Sequence, residues 1–258
     1  MPGNVRLDEA VAAHAGVTRS RARSLIMAGR VRVDGTPVTK PGAAVRESAA
    51  LDIERPRPYV SRGGEKLEAA LSAFGIDPSG ARALDVGAST GGFTDCLLKA
   101  GAGHVTALDV GYGQLAYELR TDPRVAVVER CNFRLVPDDA FGREFDLVTI
   151  DASFISVVTL VDRALRFLKD GGDVVALVKP QFEAGRDRLG GGGVVRDPEV
   201  HRAVLRETMA GVTAAGAAAV ALCRSPLRGP AGNVEFFARI RRDDAAVGEA
   251  AIESVLAE

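Results

Sequence analysis

The chain has 258 residues, of which 47% are hydrophobic and 26% are charged. This composition is typical of a globular protein with a buried core and excludes a disordered or fibrous chain. The length fits a single large domain, or a large domain with a small one. The longest apolar stretch, residues 211–223, is shorter than the ~20 residues that a membrane-spanning helix needs, and no secretory signal is recognisable. We therefore expect a cytoplasmic protein without a membrane partner.

The three cysteines, Cys96, Cys131 and Cys223, lie far apart along the chain. They lack the short Cys-x-x-Cys or Cys/His spacing that a zinc site or a disulfide framework requires. We expect them to be reduced, buried and inert, and we predict no metal site.

Charge is distributed unevenly. The formal net charge is −1, but residues 1–46 contain eight Lys and Arg against three acidic residues, a net of +5, which leaves −6 for the remainder. A small basic unit joined to a mildly acidic body suggests that the first unit attracts a polyanion.

The first unit is predicted to contain two helices followed by a β-hairpin. The predicted elements are a helix over 7–15, a second helix capped by Thr18 and ended by Gly29, a strand over 31–33, and a return strand that starts over 37–39. Between the two strands, Asp34-Gly35 favours a hairpin turn.

Arginines are concentrated in these elements. Arg19, Arg21 and Arg23 are expected near the start of the second helix, beside a hairpin that carries Arg30 and Arg32. A solvated charged face would also explain such a run, but this concentration favours a phosphate-binding surface. The candidate RNA-binding residues are Arg6, Arg19, Arg21, Arg23, Arg30 and Arg32.

The ordered pattern of this unit resembles a known RNA-binding module. Arg6-Leu7-Asp8, followed by Thr18-Arg19-Ser20-Arg21, Ser24-Leu25-Ile26, Gly29 and Val31-x-Val33-Asp34-Gly35, is similar to the αL module of small-subunit ribosomal protein four. In this resemblance Leu51-Asp52-Ile53 is the last strand, and Arg55-Pro56-Arg57-Pro58 follows as a stiff linker. We predict an RNA-binding domain over 1–55, a linker over 56–61 and a second domain over 62–258.

The second unit alternates apolar strands with helical patterns. Strands are predicted at 84–87, 105–110, 125–128, 147–151, 174–179, 217–223 and 234–240, with helices at 92–100, after Pro198, and over 244–257. This alternation predicts an α/β fold, a parallel sheet with helices on both faces. With 217–223 and 234–240 as two closing strands, the Rossmann-like sheet has seven strands. Together with the first unit, it gives an α/β domain preceded by a small α+β domain.

A glycine-rich turn follows the first strand of this sheet. Glycines let the backbone approach a ligand, and the following helix N-terminus offers free N–H groups. The spacing is not the Gly-x-Gly-x-x-Gly that seats the pyrophosphate of a nicotinamide cofactor. An acidic residue ahead of the glycines instead fits S-adenosylmethionine. The candidates in this turn are Asp85, Gly87, Ser89, Thr90, Gly91, Gly92, Phe93 and Thr94.

Two further segments complete the predicted cofactor site. Asp109 ends the second strand, where a carboxylate can accept hydrogen bonds from both ribose hydroxyls. Cys131-Asn132 follows the third strand and is predicted to flank the adenine, although a plain loop explains it nearly as well.

Charged residues also end or begin the strands downstream. Asp151 and Lys179 end two strands at the carboxyl edge, where α/β sheets keep their sites. Lys66 lies just before the first strand of the predicted sheet, and Glu235 lies at the start of an otherwise apolar strand. A charged residue in such surroundings needs a partner or a function. An ion pair capping the sheet would explain Asp151 and Lys179 but not all four residues. No Asp/Asn-Pro-Pro-aromatic segment, with which amino-group methyltransferases grip a base, follows the fourth strand.

The order Lys66, Asp151, Lys179, Glu235 resembles the tetrad of ribose 2′-O-methyltransferases. The tetrad, the basic module and the motifs 89–94, 109–115, 153–156, 179–183 and 232–237 together identify the chain as similar to the TlyA family, with an FtsJ-like domain. The resemblance implies S-adenosylmethionine-dependent methylation of a cytidine 2′-hydroxyl in 16S or 23S ribosomal RNA or both, and capreomycin sensitivity. Family members are also catalogued as haemolysins. The segment 57–61 departs from relatives, which often carry Trp there.

In this interpretation the tetrad carries the chemistry. We expect Lys179 to act as the base or to orient the hydroxyl, Asp151 to lie near the sulfonium and Lys179, and Lys66 and Glu235 to position the others. The partner is ribosomal RNA or a ribosomal subunit, with no stable protein partner. The alternatives are a non-catalytic RNA-binding assembly factor, a nicotinamide oxidoreductase and a membrane-acting haemolysin.

Overall fold

The computed structural model describes residues 3–54, 58–242 and 244–257. The chain divides into two compact units, Met1–Arg57 and Pro58–Glu258. Residues 56–57 of the predicted linker lie outside the described residues, and its remaining residues, 58–61, have no regular secondary structure.

The first unit contains two helices and two small sheets. Its elements are β1 (Asn4–Arg6), α1 (Leu7–Ala15), α2 (Arg19–Met27), β2 (Val31–Val33), β3 (Thr36–Pro37), β4 (Ala44–Arg46) and β5 (Leu51–Ile53). β1 and β4 form an antiparallel pair, and β3, β2 and β5 form a second antiparallel sheet in that order. The predicted helices, hairpin and last strand are confirmed. The return strand begins one residue earlier than predicted, and the β1–β4 pairing was not predicted.

Local sequence explains the helices of this unit. The Thr18 side chain accepts a hydrogen bond from the Arg21 N–H, which satisfies one of the free donors at the start of α2. α1 ends at Gly16, whose φ of +63° is a conformation that glycine adopts without strain. Leu7 of α1 and Ile26 of α2 are completely buried in the small core between the elements.

The second unit alternates helices and strands. Its first half contains α3 (Arg62–Phe74), β6 (Arg82–Val86), α4 (Gly92–Lys99), β7 (His104–Leu108), α5 (Tyr117–Arg120) and β8 (Val125–Val128). The second half contains β9 (Phe145–Ile150), α6 (Val157–Leu165), β10 (Leu168–Val178), α7 (Pro180–Glu183), α8 (Pro198–Ala214), β11 (Ala218–Arg224), β12 (Phe236–Arg241) and α9 (Glu249–Ala257).

Seven strands form one sheet in the order β11-β12-β10-β9-β6-β7-β8. β10, β9, β6, β7 and β8 run parallel, and β12 is antiparallel to both β10 and β11. The predicted seven-stranded Rossmann-like α/β fold is therefore confirmed. Among the residues that the structure describes, no helix is long and apolar enough to span a bilayer.

The sheet separates two apolar layers. Along β10, Val174, Ala176 and Val178 pack on one face with residues of α6, α8 and α9, whereas Val175 and Leu177 pack on the other face with residues of α3 and α4. This alternation follows from the two-residue period of a strand. Helices thus cover both faces, and the open positions lie at the ends of the strands.

The expectation for the cysteines is partly wrong. None of the three forms a disulfide, but only Cys96 is buried, whereas Cys131 and Cys223 are half-buried. Both follow or end strands near the sheet margin, where packing is incomplete. Burial raises the pKa of the Cys96 thiol to about 12, so that thiol is unreactive at neutral pH.

Candidate active site

The candidate site lies along the carboxyl edge of the sheet. Val86 of β6 pairs in register with Leu108 of β7 and with Ile150 of β9. The residues that follow these strands therefore emerge side by side. Several predicted strands end one or two residues early in the structure, so that Asp109, Asp151 and Lys179 lie just outside the sheet rather than in it.

The turn after β6 approaches its neighbours very closely. Gly87 has a φ of +86°, and a Cβ there would lie 2.4 Å from the Asp151 backbone oxygen. Gly91 has a φ of +95°, and its Cβ would lie 2.3 Å from a Leu119 methyl carbon. Only glycine fits either position. Ser89, between them, also has a positive φ of 48°, and Ser89 and Thr90 are exposed at the tip of the turn.

Asp109 connects this turn to β7. Its Oδ2 accepts a hydrogen bond from the Ser89 N–H at 2.8 Å, and its Oδ1 accepts one from the Gly111 N–H at 2.6 Å. A carboxylate has about four lone-pair positions, so this half-buried group can still accept hydrogen bonds from a diol. The neighbouring Cys131 N–H donates to the Asp109 carbonyl at 3.0 Å. Asn132 is exposed, and its side chain accepts from the Arg134 N–H.

Asp85 and Thr94, two of the predicted cofactor-binding residues, are completely buried under the turn. Asp85 accepts hydrogen bonds from the hydroxyls of Thr94 at 2.7 Å and Thr149 at 3.2 Å. Each carboxylate oxygen of Asp85 is thus used within the protein, and the two residues fix the base of the turn. Burial, opposed by these hydrogen bonds and assisted by the charge of Asp151, raises the pKa of Asp85 to about 7. Gly92 and Phe93 are likewise buried.

The four charged candidates form two ion pairs. Lys66 Nζ lies 2.5 Å from Glu235 Oε2, and both side chains are almost completely buried. Lys179 Nζ lies 2.5 Å from Asp151 Oδ1, and its side chain is 11% exposed. Removing one partner of a buried pair leaves an uncompensated charge, so each pair holds its members in place.

Strand register brings the two pairs to the same edge. Val178 of β10 is paired with Phe236 of β12, so the next residue of one strand and the preceding residue of the other, Lys179 and Glu235, are neighbours. Lys66 pairs with Glu235 and Lys179 with Asp151, so each lysine of the tetrad has its own acidic partner.

Two aromatic residues beside Lys179 had no assigned role in the sequence analysis. Phe154 is 90% exposed and has a φ of +65°, a conformation that is strained for an aromatic residue. Its ring lies against Phe182, with centroids 4.9 Å apart, and Lys179 Nζ lies 5.8 Å from the Phe182 centroid. Lys179 also donates to Ser153 Oγ at 3.2 Å. An exposed ring held in strain beside a reactive group is a signal that only the structure provides.

The first unit has its own candidate surface, and it corrects the predicted grouping. Asp8 is completely buried and forms ion pairs with Arg6, Arg19 and Arg23. Hydrogen bonds from Arg6 and Arg19 lower the pKa of Asp8 to about 2 despite this burial. We call Arg6, Arg19 and Arg23 the arginine cluster.

Arg21, Arg30 and Arg32 lie outside that cluster. The period of helix α2 places Arg21 on a different face from Arg19 and Arg23. There Arg21 lines another concavity, together with Leu25 and Asp52. Arg32 is exposed in the hairpin and donates to the Gly35 carbonyl, and Arg30 is half-buried at the end of the helix. Only three of the six predicted RNA-binding arginines therefore share the Asp8 carboxylate.

Comparisons with known proteins agree with this architecture. Residues 59–242 match the family model described as FtsJ-like methyltransferase, and residues 5–51 match the S4 domain. The chain is 48% identical over 230 residues to the 16S/23S rRNA (cytidine-2′-O)-methyltransferase TlyA of Mycobacterium tuberculosis, covering 88% of this chain and 86% of the relative. It is 40% identical over 237 residues to Hemolysin A of Brachyspira hyodysenteriae, covering 91% and 98%.

A solved structure shows the same arrangement. A protein of Streptococcus thermophilus that is named as a hemolysin superposes with a TM-score of 0.76 at 38% identity, and the match covers 100% of this chain and 96% of that one. These matches include both units and the segments that carry the tetrad. The chain belongs to the TlyA family, in which an S4 domain precedes an FtsJ-like methyltransferase domain.

Proposed function

We propose that the protein is an S-adenosylmethionine-dependent methyltransferase that modifies the ribose 2′-hydroxyl of a cytidine in ribosomal RNA, and that it acts in the cytoplasm, where its substrate is. The observation that carries the proposal is the meeting of the Lys179–Asp151 and Lys66–Glu235 pairs at the edge that also holds the glycine turn. The relative from M. tuberculosis is named for this reaction.

The cofactor would be held along β6, β7 and β8. The Gly87–Gly91 turn packs closely on its protein neighbours and exposes Ser89 and Thr90 at its tip, and Asp109 retains lone pairs for a ribose diol. S-adenosylmethionine, when bound, supplies an electrophilic methyl group. The completely buried Asp85 and Thr94 keep the turn in place beneath it.

Lys179 is the group best placed to handle the substrate hydroxyl. As an ammonium it has three N–H donors, of which one meets Asp151 and one meets Ser153, so one remains for the 2′-oxygen. In that state it orients an oxygen lone pair for in-line attack. Only the neutral amine can also take the hydroxyl proton, and the two roles predict different outcomes for an arginine substitution.

Phe154 would hold the target base. Its exposed ring lies against Phe182, whose own ring lies 5.8 Å from Lys179 Nζ, an arrangement that suits an unstacked base. Aromatic side chains stack on single-stranded bases without needing a particular hydrogen-bond pattern.

The other functions fit the molecule less well. A nicotinamide oxidoreductase would need a phosphate-seating glycine spacing that the 85–94 turn lacks. A non-catalytic assembly factor would not require a buried and a half-buried ion pair at the cofactor edge. The hemolysin names of the two similar proteins described above refer to no feature of the candidate site.

The test is to identify the product. Ribosomal subunits that lack the modification are incubated with the protein and labelled cofactor, and the RNA is digested and analysed by mass spectrometry. We expect 2′-O-methylcytidine at a position that resists alkaline cleavage, and no incorporation with a Lys179→Ala variant. A base-methylated nucleoside would contradict the proposal. Loss of the protein in its host is further expected to reduce capreomycin sensitivity.

A further inference from the structure

A second cavity of about 390 Å³ opens in the methyltransferase unit between the start of α8, the segment before β12 and α9. We call it the arginine pocket. Its polar lining consists of Arg196, His201, Arg224 and Arg228, and its apolar floor includes Val234 and Phe236. None of these residues belongs to the tetrad or to the cofactor candidates.

His201 has an unused polar atom in this pocket. The residue is only 7% exposed, and its Nε2 has no hydrogen-bond partner. The other ring nitrogen is engaged by the Val195 backbone, and the ring lies edge-on to Phe236 at 5.7 Å. A hydrogen bond to a carbonyl places the proton on that nitrogen, so the neutral ring presents Nε2 as an acceptor. Burial lowers the pKa of His201, with a further contribution from Arg224. The pocket therefore lacks a donor to Nε2.

The three arginines are also without acidic partners. Among the described residues, Arg196, Arg224 and Arg228 form no ion pair, in contrast to Arg202 and Arg206 on the outer side of α8, which pair with acids of α9. The start of the 17-residue helix α8 adds its positive end to the same region. Two acids at the start of α8 are already engaged: the Asp197 side chain caps the helix by accepting from the Glu199 N–H, and Glu199 pairs with Arg202.

The pocket is built by fixed contacts. The Asn233 side chain is buried, accepts from the Val195 N–H at 2.9 Å and donates to the Gly193 carbonyl at 3.2 Å. These bonds join the segment before α8 to the segment before β12. Val234 and Phe236 face the pocket, while Glu235 between them meets Lys66, as strand alternation requires. The pocket and the Lys66–Glu235 pair thus lie on opposite sides of the segment 234–236.

We propose that the arginine pocket binds one ribonucleotide of the substrate RNA next to the target, with its phosphate on the arginines and a ribose hydroxyl donating to His201 Nε2. This inference rests on the proposed function and adds a positioning site to it. The combined chemistry is specific: a phosphate supplies the negative charge that three unpaired arginines lack, and a hydroxyl supplies the donor that Nε2 lacks. DNA can supply the phosphate but not the hydroxyl donor, because it has no 2′-hydroxyl.

The first experiment observes His201 directly in the full chain. The protein has only three histidines, so His14 and His104 serve as internal controls in a long-range ¹H–¹⁵N spectrum. A short cytidine oligoribonucleotide, its deoxyribose counterpart and inorganic phosphate are titrated separately. We expect the Nε2 resonance of His201 to shift with the oligoribonucleotide and much less with the deoxyribonucleotide. No shift, or an equal shift with inorganic phosphate alone, would overturn the proposal.

The second experiment uses substitutions with a matched control. Arg224→Gln is expected to weaken binding of ribosomal RNA about ten- to a hundredfold, the effect of removing one charged hydrogen bond, and to reduce the magnitude of the salt slope by about 0.7. Arg206→Gln removes the same charge from the outer side of α8 and should change neither. His201→Phe should reduce discrimination between RNA and DNA while thermal stability stays normal. An unchanged preference with His201→Phe would contradict the hydroxyl contact.

The two proposals fail separately. Normal methylation by wild-type protein with no response at His201 would refute the pocket and leave the enzyme function intact. A response at His201 without methyl transfer would support nucleotide binding and refute the proposed function. At saturating RNA, Arg206→Gln should methylate at the wild-type rate, because Arg206 pairs with Glu249 and belongs neither to the pocket nor to the tetrad.

Discussion

Lys179 is the side chain on which the proposed chemistry depends most directly. Its Nζ is held by Asp151 and Ser153 and has one donor position left. We predict that Lys179→Ala lowers the single-turnover rate of methyl transfer by about 10²- to 10⁴-fold, the usual contribution of a positioned acid–base group. Lys169→Ala is a matched control, because Lys169 forms a similar ion pair with Asp146 away from the site.

Lys179→Arg separates the two roles of this residue. Arginine keeps the positive charge but cannot give up its proton, so a base role predicts a variant nearly as inactive as alanine. Partial recovery would indicate that the lysine only orients the hydroxyl. Wild-type rates for both variants would remove Lys179 from the chemistry.

Phe154 gives a second prediction at the scale of a single residue. If its ring stacks on the target base, Phe154→Ala should weaken the transition-state complex by about 1–3 kcal/mol, and Phe154→Tyr should keep most of the activity. Because the side chain is 90% exposed, thermal unfolding of both variants should match the wild type. Equal kcat/KM values for the alanine variant and the wild type would exclude the stacking role.

At the scale of the elements, the turn between β6 and α4 depends on a buried carboxyl group. Asp85 has a pKa raised to about 7, mainly by burial, so the folded protein holds its proton more tightly than the unfolded chain does. The contribution of this proton to the free energy of unfolding is fully present below about pH 4, and it is lost as the pH rises through about 7. The loss of unfolding free energy is about 4 kcal/mol at most, because each unit of pKa difference between the folded and unfolded chain corresponds to about 1.36 kcal/mol.

Asp85→Asn isolates this contribution because asparagine does not titrate. We expect urea unfolding at a series of pH values to show that the free energy of unfolding of the variant, relative to that of the wild type, increases between pH 4 and 7. Above pH 7 this difference should be constant. Asp122→Asn is a control with the opposite pH dependence. Hydrogen bonds from Arg124 lower the pKa of Asp122, so the contribution of the Asp122 carboxylate to folding stability is lost at low pH. A constant difference between Asp85→Asn and wild type across this range would refute the buried, protonated Asp85.

At the scale of the whole molecule, sequence patterns predicted the order of elements but not how distant residues pair. Apolar runs such as residues 174–178 identified the strands because their side chains pack on both faces of the sheet. The β1–β4 pair was missed because three-residue strands separated by 37 residues carry no local signal. Strand bounds were displaced at the functional edge, where polar residues such as Asp109 leave the sheet.

The candidate site was predicted by residue type, and its geometry was not. The order of Lys66, Asp151, Lys179 and Glu235 indicated a tetrad, but not its division into two ion pairs, one of which joins residues 169 positions apart in the sequence. Likewise, a run of arginines could not show that a buried Asp8 would gather Arg19 and Arg23 and leave Arg21 apart. Such groupings depend on tertiary packing, which single-residue patterns do not encode.

The final prediction follows from a division of labour between the two units. If the arginine cluster holds RNA through phosphates, then the double variant Arg19→Gln/Arg23→Gln should weaken binding of ribosomal RNA. The magnitude of the salt slope should fall by about 0.7 to 0.9 for each phosphate that the variant no longer neutralises. Affinity for S-adenosylmethionine and the methylation rate at saturating RNA should stay near wild type, because neither residue belongs to the methyltransferase unit.

Arg21→Gln is the matched control, since it removes the same charge from the same helix α2 but outside the cluster. The slope of log affinity against log salt, measured for the full-length variants, decides between the surfaces. If Arg21→Gln lost as much affinity for RNA as the double variant, the result would favour the single arginine surface that was predicted from the sequence. An unchanged slope in the double variant would mean that the ion pairs with Asp8 serve only to stabilise the fold, because arginines held by a buried carboxylate would then be unable to reach phosphate.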